Sequence, residues 1–423
     1  MLDPETKPTI VYAGRDPALP LDSERRTPVM TETTLREELS SLPTKLLAHL
    51  AASGFDAERL VTLARPLQER AAGVATGDKD ERNRIRGTVE PPGRDDVVDA
   101  PVPGTPEHAR LSEVGMRAIR DGRLAFCVMA GGMATRMGGV VKALVEAFDG
   151  RTFLQLRLQD NATWCERAGR PVPLWLMTSE ATDGPTRAAL HAANAPEHVQ
   201  TFMQDVGLRL TREGTLFRGD DGQPSTYSPG HGDLPDALRR SGLLARFVES
   251  GGENVWITNL DNLGATIDPA LLGLFLERGR DVMVEAAPKE PGDKGGIPVW
   301  ADAEDETGRT VRRLQVLEEF RLPKGFDAAS VRVFNTNTFL VRAEPLLHAR
   351  IRWSWFEVEK KVGDRTAVQF ERLLQELTAA MPAAYVRVPR EGAASRFLPV
   401  KDHDELAHRR DTIRAVAAAR GMI

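Results

Sequence analysis

The 423-residue chain is 41% hydrophobic and 28% charged, the balance of a globular protein of two or three structural units, which excludes wholesale disorder, collagen and coiled coil. Lys+Arg at 56 against Asp+Glu at 61 gives a net charge of -5, so the basic field that draws a nucleic-acid backbone is missing. Cys127 and Cys165 are too few for a disulfide framework or a four-thiolate zinc site, no run approaches the ~18 apolar residues of a membrane span, and the start MLDPETKPTIVYAGRDP lacks a signal peptide's apolar core; a cytoplasmic protein is expected, with no nucleic-acid and no membrane partner.

Residues 1 to 33, rich in Pro, Thr, Asp and Arg, predict an extended or poorly ordered tail. From Leu35 to Arg70, leucines at helical spacing interrupted by Ser53-Gly54 predict a helical hairpin. Charge followed by repeated Pro and Gly from Gly73 to His108 reads as a linker wrapped on the next domain. Short apolar runs then alternate with amphipathic helical patterns: LAFCVMA, Thr152 to Ala168, VPLWLMTS, Thr182 to Ala193, Leu234 to Glu249, NVWITNL, Pro269 to Glu277 and DVMVEAAPK. This is the pattern of βαβ units on a mainly parallel sheet covered on both faces. The strands RRLQVLEEF and RVFNTNTFLVR follow more closely, so part of the sheet is expected to be antiparallel, and HRRDTIRAVAAARGMI reads as a terminal helix. The division expected is 1–106, an α/β domain over 107–390, and a short C-terminal unit over 391–423.

The most informative segment is LAFCVMAGGMATRMGGVVK, residues 124 to 142, in which an apolar strand empties into Ala130, Gly131 and Gly132 and Lys142 follows ten positions after the second glycine. Glycines let backbone N-H groups approach an anion, and Thr135, Arg136 and Lys142 add donors and charge. It is neither a Walker loop nor a GxGxxG loop: Val141 and Ala143 flank the lysine, and Ala134 stands where a second glycine would be. By itself it reads equally as a sheet turn with a solvent lysine. In TNLDNLGA, a strand ends in Asn259, Asp261 and Asn262, where open α/β sheets bind ligands, and Asp261 suits an oxygen-seeking cation such as Mg²⁺; the alternative is a helix cap or turn. SPGHGD permits a tight turn at Gly230 and Gly232 able to present backbone to a base edge, and VFNTNTF places Asn335 and Asn337 on one face and Thr336 on the other.

AGGMATRMG with Lys142 resembles the nucleotide loop of the UDP-sugar pyrophosphorylase superfamily. FDGRTFLQL, PLWLMTS, TFMQD, PGHGDLPDALRRSGLL, TNLDNLGA, KGGIPVW, VLEEF, VFNTNTF and SRFLPVK resemble further segments of the UTP-glucose-1-phosphate uridylyltransferases in the same order, over about residues 107 to 405. The resemblance implies a Rossmann-like (GT-A-like) nucleotidyltransferase fold and transfer of a uridylyl group from UTP to a sugar 1-phosphate, yielding UDP-sugar and pyrophosphate with Mg²⁺ as cofactor. It assigns Lys142, Lys401 and Arg136 to phosphate charge and Asp261 to the metal. Ala130, Gly131, Gly132, Thr135, Gln204, Gly230, His231 and Asn259 would bind the nucleotide, with Gln204 and Gly230 on uracil and His231 binding near the phosphates without proton transfer. Gly295, Gly296, Glu318, Asn335 and Asn337 would bind the sugar, with Glu319 as the alternative acid and Arg396 as structural. Glucose 1-phosphate is the expected sugar; an N-acetylhexosamine or broad-range enzyme, and a catalytically silent nucleotide-sugar-binding protein, are the alternatives.

Two departures stand out. Ala134 replaces a family glycine and would be strained if its backbone needed positive φ, and the stretch from Gly138 to Lys142 is about one residue short and lacks a proline. The chain stops at Ile423 without the C-terminal β-helix domain of eukaryotic relatives, so no assembly through such a domain is expected, and the oligomeric state stays open.

Overall fold

The apolar runs of the sequence become eight strands of one sheet: β1 (Val97–Asp99), β2 (Leu124–Met129), β3 (Leu174–Thr178), β4 (Val199–Met203), β5 (Asn254–Asn259), β6 (Val282–Pro288), β7 (Val333–Arg342) and β8 (Ala383–Arg387). These belong to a computed structural model that describes residues 32–74, 79–293, 295–305 and 307–423, without the side chains of Glu32, Thr33 and Thr135. The expectation for the first 31 residues lies outside the described residues. The sheet order is β1-β8-β6-β7-β5-β2-β3-β4, and every neighbouring pair is parallel except those made by β7, which runs against both β6 and β5. Strands β2 and β3 are buried at every position, which is why they read as unbroken apolar runs instead of alternating ones.

Helices cover the sheet where their end signals are strongest. Helix α1 (Pro106–Arg120) is capped by Thr105; α2 (Phe153–Ala168) opens on a reciprocal capping box between Thr152 and Gln155 and closes at Gly169; α3 (Pro269–Arg278) is capped by Asp268; and α4 (His403–Arg420) by Asp402. α1 and α3 cross at two glycines. A Cβ on Gly115 would stand 1.9 Å from the Pro269 carbonyl oxygen, and one on Gly273 would stand 2.0 Å from that of Leu111, so this approach depends on the absence of side chains. α4 returns to the body, with Leu406, Ile413 and Ala417 in the same core as Phe126 and Trp256.

Three elements differ from expectation for local reasons. The single helix expected over 234–249 is two, Leu234–Arg240 and Leu243–Glu249, because Gly242 turns left-handed at φ 73°. The N-terminal hairpin has a second break ahead of Pro43, giving Glu32–Ser40, Thr44–Ala52 and Ala57–Ala71, and packs on Val206, Leu208, Leu210, Val368 and Phe370. The Pro/Gly-rich stretch does run over the body, but it also donates β1 to the sheet. The expected antiparallel part consists of β7 and two hairpins, Ile297–Glu304 with Thr310–Leu317 and Phe356–Val362 with Arg365–Glu371. Among the described residues no helix is long and apolar enough to cross a membrane.

Candidate active site

The carboxyl ends of β2, β3, β4 and β5 and the amino end of β7 lie along one edge of the sheet, and Gly131, Gln204, Asn259, Asp261 and Asn337 follow or lie at those ends. After β2, the Gly131 carbonyl accepts the Ser179 hydroxyl at 2.9 Å, and a Cβ on Gly131 would lie 3.0 Å from Gln204 Nε2, so this glycine admits the Gln204 side chain beside the loop. The loop doubles back through a small hairpin, Met133–Ala134 with Val140–Val141, and the Lys142 amide donates to the Gly132 carbonyl at 3.2 Å. Gly138 and Gly139 take positive φ of 84° and 72°, which a side chain resists. Ala134 does not: its φ is -76° and its methyl is buried in the core, so the strain expected at this departure is absent. Arg136 is exposed, and the Thr135 side chain lies outside the described part of the structure.

Lys142 reaches across to the loop after β5, where its Nζ donates to Asp261 Oδ2 at 2.8 Å. The same oxygen accepts the Val400 amide at 2.9 Å, which brings exposed Lys401 next in chain to this carboxylate. The sequence assigned Lys142 to phosphate and Asp261 to a metal; the ion pair between them emerges only from the fold. Asn262 ties the C-terminal segment down, its Nδ2 donating to the Arg396 carbonyl at 3.0 Å and its Oδ1 accepting the Leu398 amide at 2.8 Å. Arg396 is buried and paired with both oxygens of Glu285, the structural position expected of it.

On β7 the regular alternation predicted for NTN is replaced by a bulge. Register jumps from Thr338 opposite Glu285 to Asn335 opposite Ala286, and Asn337 turns left-handed at φ 60°. Asn335 and Asn337 are still half-buried while Thr336 is buried against the Glu285 carbonyl. The Asn337 amide nitrogen Nδ2 donates to Asn259 Oδ1 at 3.0 Å, and its own Oδ1 is buried with no hydrogen-bond partner among the described residues, an acceptor whose desolvation a ligand hydroxyl would offset. The Asn335 amide donates to the Gly296 carbonyl at 2.8 Å, and a Cβ on Gly296 would lie 3.2 Å from Glu318 Oε1. A Cβ on Gly295 would meet the Phe334 ring at 3.3 Å; Lys294 lies outside the described residues. Glu318 accepts from Gln375 Nε2 at 2.6 Å, and burial pushes its carboxyl above the usual carboxylate range against that bond. Glu319 is exposed and paired with Lys289, so of the two acids it is Glu318 that stands with the asparagines.

The turn at 229–233 is as tight as its glycines predicted, but what comes close to it is the protein's own backbone. Gly230 has φ 102°, and a Cβ there would lie 2.9 Å from the Arg372 carbonyl oxygen; at Gly232 it would lie 2.6 Å from the Arg372 carbonyl carbon. His231 Nδ1 accepts the Leu374 amide at 2.9 Å, leaving Nε2 to carry the proton, and desolvation depresses its pKa to about 4 against the opposing pull of Glu371. A neutral histidine donor fits the binding role expected of it. Arg372 is the residue the sequence did not flag. Buried to 1% exposure, it bonds Asp205, Asp233 and Asp236 and is flanked by the rings of Trp353 and Trp355, and the Asp205 amide donates to Asp233 Oδ2, joining Gln204 and its neighbours to this turn. Gln375, three positions on, links the same segment to Glu318. A cavity of about 590 Å³ bordered by Arg86, Arg321, Arg352 and Glu376 lies against the next residue and includes none of the residues predicted from sequence.

Sheet, loops and the edge they share define a UDP-sugar pyrophosphorylase-like nucleotidyltransferase fold. Solved structures share it: the UDP-N-acetylglucosamine pyrophosphorylase from Trypanosoma brucei in complex with inhibitor superposes with a TM-score of 0.70 at 21% identity over 94% of this chain and 85% of that one. The UDP-glucose phosphorylase from Trypanosoma brucei gives 0.66 at 23% identity over 86% and 77%. The sequence profile of the family described as UTP--glucose-1-phosphate uridylyltransferase matches residues 78–417, and the chain belongs to that family. Similar proteins include the UTP-glucose-1-phosphate uridylyltransferases of Hordeum vulgare, 29% identical over 69% of this chain and 62% of the relative, and of Saccharomyces cerevisiae, 31% identical over 75% and 64%. The match thus spans less than two thirds of the length of those relatives.

Proposed function

We propose that the chain transfers the uridylyl group of UTP to a sugar 1-phosphate, with glucose 1-phosphate the preferred acceptor. The observation that carries this reading is the meeting of Lys142, Asp261 and the Lys401 segment at one carboxylate on the sheet edge, within a chain of this family. A phosphate oxygen of the sugar 1-phosphate attacks the α-phosphorus of UTP in line, the bond from that phosphorus to the bridging oxygen breaks, and pyrophosphate leaves with the electron pair. The nucleophile is already an anion, so no base is required, in keeping with a His231 held neutral. Charge grows on the α-phosphate and the departing pyrophosphate; Lys142, Lys401 and Arg136 are cations suited to offset it, and the Ala130–Gly132 loop, Thr135 and Asn259 are assigned to the nucleotide. Gln204 and the Gly230 turn form the uracil side. The orphaned acceptor of Asn337, with Asn335, Glu318 and the backbone of Gly295 and Gly296, forms the sugar side.

For Mg²⁺ the donor chemistry is compatible and sparse. Among the described residues no three His, Cys, Asp or Glu side chains are grouped so that they could hold a metal ion, so Asp261 alone would supply a carboxylate here, which suits a cation that shares its coordination with substrate phosphate and water. Bound there it would neutralise phosphate charge. Because Lys142 and Val400 both donate to Asp261 Oδ2, a site shared with substrate phosphate and water is the one consistent with this carboxylate. We place the reaction in the cytoplasm, a reading supported by two free cysteines, one of them buried. The test is pyrophosphate release from UTP and Mg²⁺ with glucose, galactose, N-acetylglucosamine and xylose 1-phosphates. Selective release with glucose 1-phosphate is expected; preference for N-acetylglucosamine 1-phosphate would reassign the sugar, and UTP binding without release would leave a silent binding protein.

A further inference from the structure

Beneath the Asp261 loop lies Arg157 of α2, a guanidinium with no exposed surface. Its Nε donates to the Leu260 carbonyl at 3.2 Å, its Nη1 to that of Ala265 at 2.9 Å, and its Nη2 to those of Asn259 at 3.0 Å and Asn262 at 2.5 Å. The remaining donor, on Nη1, points to Asp160 Oδ2 at 3.5 Å, and Asp160 is itself fully buried and accepts the Thr266 hydroxyl on both oxygens at 2.5 and 2.6 Å. All five N-H groups therefore have acceptors, and four of them are backbone carbonyls on either side of Asp261. Burying an arginine costs heavily unless every donor is matched, so a full match concentrated on one seven-residue loop is an arrangement built for that loop. The far side of the loop is held by Asn262 and by the Val400 amide on Asp261.

We propose that Arg157 is a positioning residue for uridylyl transfer. It fixes the backbone from 259 to 265 so that the Asp261 carboxylate presents Oδ2 to Lys142 and the Lys401 segment, and Asn259 presents its amide to Asn337. This rests on the function proposed above. Lysine cannot replace it: a single ammonium offers three donors from one point, whereas the carbonyls are spread around a planar fork. Because the loop acts on charge that develops at the α-phosphate, loss of its geometry should appear in turnover more than in substrate affinity.

The experiment compares wild type with Arg157→Lys by steady-state kinetics of pyrophosphate release, by thermal melting, and by amide hydrogen exchange of residues 259–265 in the unliganded protein. Expected are a cooperative melt, exchange in this loop at least tenfold faster, kcat at least thirtyfold lower and KM for UTP within threefold. A folded Arg157→Lys protein with kcat within threefold of wild type, or with loop exchange unchanged, would overturn the proposal. If Arg157→Lys does not melt cooperatively, Asp160→Asn takes its place, keeping the arginine without its ionic partner; kcat three- to tenfold lower at constant KM is expected, and kcat equal to wild type overturns the proposal. A wild-type protein silent with every sugar 1-phosphate would sink the proposed function instead, while the exchange comparison would still decide whether Arg157 sets the loop.

Discussion

In the loop after β2, Gly132, Gly138 and Gly139 face open space, with nothing within 4 Å of where a side chain would begin; in the loop after β5, a Cβ on Gly264 would stand 2.5 Å from the Ser395 carbonyl oxygen. The first loop is partly exposed and closed mainly by its own short hairpin. The second is buried, with its carbonyls taken by Arg157 and its side chains by the C-terminal segment. Glycine serves both, for opposite reasons: in one its two positive-φ turns at Gly138 and Gly139 fold the loop back, in the other it lets two backbones touch. Lys142 and Asp261 join the open loop to the tied-down one, an arrangement that suits the proposed transfer because the carboxylate is fixed from its own backbone.

Removing the joining residue should have the largest effect. Lys142→Ala is expected to lower turnover about 100- to 1000-fold, the magnitude of a lost transition-state donor, in a pyrophosphate-release assay, and Lys401→Ala is expected to act in the same direction; unchanged turnover in Lys401→Ala would contradict the role proposed for that lysine.

The turn at 229–233, packed on the backbone of residues 372–374, resembles the tied-down loop, and pH tests it. His231 titrates at about 4 when folded, below its ordinary 6.5, so the neutral form is favoured in the native state. Its contribution is complete above about pH 6.5 and is lost as pH falls toward 4, amounting to on the order of 2–3 kcal/mol by pH 4.5. Urea midpoints between pH 7 and 4.5 should fall less steeply in His231→Asn than in wild type; parallel slopes would mean that the ring is solvated.

Two glycine substitutions give the smallest and most direct comparison. Gly264→Ala should cost about 1–3 kcal/mol of stability through backbone displacement. Gly132→Ala should leave stability within about 0.5 kcal/mol and raise KM for UTP severalfold, because its methyl enters the space where phosphates would lie. Equal urea midpoints for the two variants would erase the distinction between the loops.

The local grammar of the fold was legible in advance. Apolar runs without alternation announced buried parallel strands, and the helical patterns from Thr152 and Pro269 announced helices that begin at Phe153 and Pro269, whereas the terminal helix begins at His403, ahead of the expected HRRDTIRAVAAARGMI, where Asp402 caps it. Sequence spacing overreached where a single residue's φ intervened: Gly242 split a helix and Asn337 turned a strand into a bulge. Ala134 went the other way, a feared strain that its negative φ dissolves. Arg157 had a signal that passed unread, a charge three positions after Leu154 on the buried stripe of α2; Arg372 had none.

By itself, then, the sequence determined the alternation of strands and helices and the glycine loop, because burial patterning and backbone freedom act within a few residues, while Lys142, Asp261 and Asn337 were singled out through the resemblance of their segments to a family. Only the tertiary structure decided that Lys142 pairs with Asp261, that the C-terminal segment delivers Lys401 beside them, and that Arg157 holds carbonyls 102 to 108 positions away. The physical reason is that a buried charge is tolerable only where distant backbone happens to meet its donors, and no local periodicity encodes that meeting.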